Sequence, residues 1–78
     1  MENTEKYTNV FVEAFGISAA EAASAKYQEV QGWDSVGHMG LVATLEDTFD
    51  IEFDADDIID FSSYEKGKEI LSKYGVQF

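Results

Sequence analysis

The chain has no cysteine, no proline and no arginine, and it carries one histidine and one tryptophan. Without cysteine there is neither a disulfide nor a thiolate metal site, so a chain of 78 residues must be held together by its core alone. A lone histidine offers no second nitrogen ligand for a transition-metal site. No run approaches the ~20 apolar residues that span a bilayer. Glu2, Glu5 and Lys6 stand where a signal peptide needs an apolar stretch. There is no repeat, no low-complexity tract and no glycine-rich phosphate loop. Together these absences predict a soluble, cytoplasmic, monomeric protein with a single domain over residues 1–78.

Positive charge is scarce as well. Sixteen acidic residues against five lysines give a net charge of −11. Phosphate binding requires cationic contacts, so nucleic acid and anionic membrane surfaces are disfavoured as partners. Basic protein patches are the natural complement, with an attraction that weakens as salt rises. An acidic surface also serves solubility, so the charge excludes partners more firmly than it selects them.

What is present reads as helix. Tyr7, Val10, Phe11, Ala14 and Phe15 form an amphipathic stripe, and Gly16 supplies a left-handed stop, which predicts a first helix over residues 3–15. Ser18 and Glu21 have capping-box spacing for a short helical turn. Beyond it, Tyr27, Val30 and Trp33 are expected to pin a long ordered connection to the core. Asp34 is a good N-cap, and Val36, Met39, Leu41, Val42, Leu45 and Phe49 predict a second long helix over residues 35–49, with Asp50 outside it. Ile51 and Phe53 mark a brief extended segment. Asp54, as N-cap, opens a short helix over residues 55–60, and Ser62 with Glu65 suggests a second capping box before the last helix, which Gly75 ends. The expected fold is all-α, a small four-helix bundle of three longer helices and a short third one. Phe11, Phe15, Leu45, Phe49, Ile51, Phe53, Ile59, Phe61, Ile70 and Leu71 are its expected core.

Only Ser35 stands out as a carrier of covalent chemistry. A hydroxyl at a helix start lies beside free backbone N–H groups and the positive end of the helix dipole, a setting that favours a phosphate ester. It does not make a hydrolytic nucleophile, which needs an adjacent oriented base. By itself such a serine is an ordinary cap. Asp54, Asp56, Asp60, Ser62 and Glu65 fall in a calcium-loop register, but Ile58 and Ile59 occupy a ligand position and the turn glycine, so no metal site is expected.

Taken as a set, Asp34-Ser35-Val36, Met39, Leu41-Val42, Leu45-Glu46, Phe49 and Ile51 resemble the acyl carrier protein family, whose hallmark is an Asp-Ser-Leu-like motif opening the second helix. The likeness extends over nearly the whole chain, through the long first connection, the short third helix and the final helix. It implies that Ser35 receives 4′-phosphopantetheine from coenzyme A through a separate metal-dependent transferase. The prosthetic thiol then holds an acyl or aminoacyl group as a thioester, and the carrier itself catalyses nothing. It also implies docking of partner enzymes with basic patches, among them acyl- or aminoacyl-activating ligases, on Asp34, Val36, Met39, Glu46 and Asp47. The spacing of Val36 and Met39 allows core packing equally well. Trp33, Gly37 and His38 make the chain look like a specialised stand-alone carrier, with an aminoacyl or peptidyl carrier, or an unmodified acidic interaction module, as alternatives. Gly37 and Gly40 imply a loose helix start or close approach by a partner, each costing about 1 kcal/mol of helix propensity. His38 is expected to be an exposed helix residue on the face of Ser35. Phe49, Phe53 and Phe61 would fill the space in which related bundles shelter an acyl chain, favouring small or polar cargo.

Overall fold

The computed structural model describes residues 2–78, which fold as α1 (Asn3–Phe15), α2 (Ala19–Ala22), α3 (Ser35–Phe49), α4 (Ala55–Asp60) and α5 (Tyr64–Lys73). No strand occurs among the described residues; one isolated antiparallel bridge joins Lys26 and Ser63. The four expected helices are all present, and the capping box adds the fifth: Glu21 N–H donates to Ser18 Oγ at 3.1 Å and Ser18 N–H to Glu21 Oε1 at 3.0 Å. These bonds satisfy two donors that a four-residue helix could not satisfy internally.

Each helix buries the stripe its sequence marks. α1 buries Tyr7, Val10 and Phe11, leaves Ala14 exposed and Phe15 half-buried, and ends as Gly16 N–H donates to the Val12 carbonyl at 2.9 Å. α3 buries Leu41, Val42 and Leu45 and stops where Asp50 turns left-handed at φ 53°. α5 buries Tyr64, Gly67, Ile70 and Leu71. Its N-cap is Ser63, whose hydroxyl accepts from Lys66 N–H at 3.0 Å, so the cap lies one residue beyond the expected Ser62 box. The shift follows from the bridge: Ser62 gives its carbonyl to Tyr27 N–H at 2.9 Å, and Tyr64 N–H donates to the Ala25 carbonyl at 3.0 Å. The connection is thereby stitched to the head of α5.

Aromatic rings fill the centre. Phe11 meets Tyr7, Trp33 and Tyr64 edge-on at centroid distances of 5.0, 5.4 and 5.3 Å, the geometry that ring quadrupoles favour. The Tyr7 hydroxyl donates to the Tyr64 carbonyl at 2.5 Å. Burial, with the neighbouring Tyr64, pushes its pKa far up, so it stays a donor. Gly67 lets α5 press against this layer, since a Cβ there would overlap the Tyr7 hydroxyl and the Phe61 ring. Two expectations fail at α4. Ile59, expected in the core, is 78% exposed, because a six-residue helix has room for one buried face only. Asp54 holds the N-cap position but makes no side-chain capping bond.

The residue α4 buries is charged. Asp57 accepts from Lys73 Nζ at 2.6 Å and from the Tyr74 hydroxyl at 2.5 Å, and that hydroxyl accepts from Asp54 N–H at 2.9 Å. This network ties α4 to the end of α5. The Lys73 bond, then the Tyr74 bond, holds the Asp57 carboxyl below its ordinary value of 3.8. Asp57 raises the Lys73 pKa in turn. A depressed carboxyl contributes stability that is complete above the unfolded-state value and lost as pH falls through the lower folded one. Asp57→Asn is therefore expected to lower the melting temperature at neutral pH, with the gap to wild type closing as pH falls below 3.8. Melting curves followed by circular dichroism across that range check it; a gap constant with pH would contradict the assignment.

Candidate functional site

The site is built from a buried indole outward. Trp33, at 1% exposure, is the last apolar anchor of the connection before α3. Its ring stacks on Phe15 at 5.4 Å and meets Phe11 edge-on. Indole nitrogen can only donate, and here it donates to His38 Nδ1 at 3.0 Å. The neutral imidazole therefore carries its proton on Nε2, which donates to the Ile58 carbonyl at 2.7 Å. A chain of two hydrogen bonds thus runs from the connection through α3 to α4.

His38 is accordingly not the exposed helix residue that its position suggested. It is half-buried, stacked on Trp33 at 19° between planes and flanked edge-on by Tyr27 and Phe61. Pairing it with Trp33 was within reach of the sequence. A buried indole N–H needs an acceptor, and the imidazole lies five residues along the chain.

With Trp33 anchored, the next residues are fixed. Asp34 caps α3, its Oδ1 accepting from Gly37 N–H at 2.9 Å, as its residue type led one to expect. Gly37 has a different reason from the one expected: a Cβ there would overlap the carbonyl oxygen of Gly32. The close approach is made by the chain's own preceding turn. Gly40 has open space around it.

Ser35, the first residue of α3, is exposed. Its Oγ lies 3.3 Å from the Tyr27 hydroxyl, a long contact in which either oxygen can donate. Beside it opens a cleft of about 400 Å³ lined by Tyr27, Ser35, His38, Met39, Ile58, Ile59, Phe61 and Ser62. A hollow of similar size, about 450 Å³, lies off the end of α1 among Glu21, Lys26 and Glu29. It holds none of the motif residues, and its lining mixes Phe15, Ile17 and Val30 with those charged groups. The walls contributed by Tyr27, Ile58, Phe61 and Ser62 come from outside the motif helix; Tyr27 was expected as an anchor of the connection and Phe61 as a core ring, while Ile58 and Ser62 carried no signal beyond their apolar or capping character.

Of the other expected site residues, Val36 and Met39 are 83% and 55% exposed, so neither packs in the core. With Gly40 and Ala43 they make the outward face of α3 small and apolar. Asp34 and Asp47 are exposed. Glu46 is half-buried, and its Oε2 accepts from Phe53 N–H at 2.8 Å, holding the segment that leaves α3. No group of three or more His, Asp or Glu side chains able to hold a metal ion occurs among the described residues, and none of their helices is long and apolar enough to cross a membrane.

The two glycines of α3 separate helix propensity from close packing. Gly40→Ala is expected to raise stability by about 0.5–1 kcal/mol, the ordinary gain of alanine in a helix. Gly37→Ala should lower it, because the clash is with backbone that cannot rotate away. Urea unfolding of both variants measures this. Equal gains would mean that Gly32 and Gly37 are not in contact.

Compared with known protein families, residues 8–66 match the family described as phosphopantetheine attachment site. Curated individual proteins give no match. The matched stretch runs from the middle of α1 into α5 and takes in the connection, all of α3 and the cleft. Members are carriers, not catalysts; they hold 4′-phosphopantetheine covalently and work with a modifying transferase and biosynthetic enzymes. With three quarters of its length inside that match, the chain belongs to the phosphopantetheine attachment-site family of carrier proteins.

Proposed function

We propose that this protein is an acyl carrier in which Ser35 bears the 4′-phosphopantetheine arm, whose thiol holds acyl groups as thioesters for delivery between biosynthetic enzymes. The observation that carries the reading is the placement of Ser35. It is an exposed hydroxyl on the first residue of a long helix, within the matched region, at the mouth of an apolar cleft. On transfer from coenzyme A, the Ser35 Oγ–phosphorus bond forms and the pyrophosphate bond breaks. The adenosine bisphosphate leaves, and the hydroxyl proton passes to a base of the transferase.

The residues around Ser35 fit such an ester. The start of α3 directs backbone N–H groups and the positive end of the helix dipole at that position. Asp34 already satisfies Gly37 N–H, so replacing the serine leaves the cap intact. Tyr27 sits close enough to Oγ to hydrogen-bond the serine before loading. When bound, the group supplies a flexible thiol; this chain supplies the attachment oxygen, its exposure and the apolar wall beside it.

For docking we assign Asp34, Val36, Met39, Glu46 and Asp47, with Val36 and Met39 as the apolar centre. Two large apolar side chains left open on one helix face are costly unless something covers them, and exposed acids nearby suit a partner with a basic rim. One carboxylate oxygen of Glu46 is committed to Phe53, which leaves the other for a partner.

Intact-mass measurement after incubation with coenzyme A, Mg²⁺ and a transferase of broad range is expected to show one added phosphopantetheine unit, mapped to Ser35. Ser35→Ala should lose the gain and keep its helical circular dichroism. A gain that survives the substitution places the arm elsewhere. The same transferase should act on Val36→Ala and Met39→Ala with kcat/KM reduced about 5- to 30-fold each, equivalent to the roughly 1–2 kcal/mol that truncating an interface centre costs, and with unchanged melting temperature. Unchanged rates would remove these two residues from the docking surface. Loading by an acyl-activating and not by an amino-acid-activating ligase is the result expected for the cargo; the reverse makes it an aminoacyl carrier.

A further inference from the structure

We propose that His38 is a specificity-determining residue: its bridge from Trp33 to the α4 backbone closes the bundle to the carried group, which stays outside, in the cleft beside Ser35. The proposal rests on Ser35 bearing the arm. It is carried by the hydrogen bonds, by the packing beneath them, and by the shape of the cleft.

A chain attached at Ser35 could reach the centre most directly along the seam where α3 faces α4. His38 occupies that seam. Its two ring nitrogens are both used, one accepting from Trp33 and one donating to the Ile58 carbonyl. Prising α4 away from α3 would strand the His38 Nε2–H and the Ile58 carbonyl together, which makes opening unfavourable. Aromatic rings close the remaining space. Trp33 meets the imidazole edge to edge through its hydrogen bond, with the two planes 19° apart, and Tyr27 and Phe61 pack beside it with centroids at 5.3 and 6.0 Å.

The cleft agrees with a closed interior. Its floor is His38 and Phe61, and none of the deeper residues Leu41, Val42, Leu45, Ile70 or Leu71 lines it. Those five are at most 2% exposed. Met39 from α3 and Ile59 from α4, by contrast, both line the cleft and both stand out in solvent, at 55% and 78% exposure. Two exposed apolar side chains on an apolar trough that begins at the attachment oxygen suit a hydrocarbon laid across the outside. They do nothing for one buried within.

The test compares the protein loaded from acetyl-coenzyme A with the protein loaded from octanoyl-coenzyme A. Intact mass establishes loading first, and methyl NMR spectra then locate the chain. The octanoyl form is expected to shift the Met39 and Ile59 methyl signals and to leave those of Leu41, Leu45 and Leu71 where the acetyl form has them. Hydroxylamine should cleave both thioesters at the same rate. In His38→Ala the octanoyl chain is expected to shift the three core leucines and to lose reactivity towards hydroxylamine. Core leucine shifts in the wild-type octanoyl form overturn the proposal whether or not the variant folds. A folded His38→Ala protein that behaves as wild type overturns the role of His38. Absence of any mass gain on Ser35 overturns the functional reading first, and the proposal with it.

Discussion

The arrangement depends on one buried donor. Trp33 brings the largest side chain in the molecule to 1% exposure, and the stabilisation from burying it holds only if its N–H finds an acceptor. His38 is that acceptor, and because its other nitrogen donates to Ile58, one requirement fixes three elements relative to one another. The end of the connection, the first turn of α3 and the end of α4 cannot move independently. Ser35, two residues beyond the anchor, is therefore presented from a rigid base, while the side chain itself faces solvent.

The same helix serves two environments with little polarity to tell them apart. α3 buries Leu41, Val42 and Leu45 and exposes Val36, Met39, Gly40 and Ala43, so its outward face is apolar until Thr44, Asp47 and Thr48 near its end. A helix with so weak a polar side is usually interior. Here the outward face is open and flanked by acids at Asp34 and Asp47, on a chain of net charge −11. α4 is held differently, through Asp57 between Lys73 and Tyr74. The cleft thus has one wall fixed by packing and one fixed by an ion pair and the His38 bridge.

Local signals were legible in the sequence to the residue. α1, α3 and α4 begin and end where the stripes, Gly16, Asp34 and Asp50 place them, and the Ser18–Glu21 box forms. The place of Ser35 as the first residue of α3 was legible because Asp34 before it is a good N-cap, whereas its proposed role rests on the resemblance of a wider set of residues. What the sequence concealed is set by contacts between distant segments. Ser63 caps α5 in place of Ser62 because Ser62 is engaged with Tyr27 across the fold. Ile59 lies outside because Asp57, a charged residue, takes the inward position of α4. Gly37 answers to the Gly32 carbonyl, and His38 to a tryptophan and a carbonyl twenty residues on. Periodicity ranks residues by type, so it passes over a buried aspartate and a bridging histidine alike.

The most direct test of this account is the long-range ¹H–¹⁵N spectrum of His38 in the neutral form. If the Trp33–His38–Ile58 chain holds the site together, one tautomer dominates, with Nδ1 unprotonated and accepting and Nε2 bearing the proton. The Trp33 indole proton should then exchange slowly with solvent. Averaged nitrogen signals with a rapidly exchanging indole proton would contradict it, leaving the start of α3 at Ser35 without its anchor.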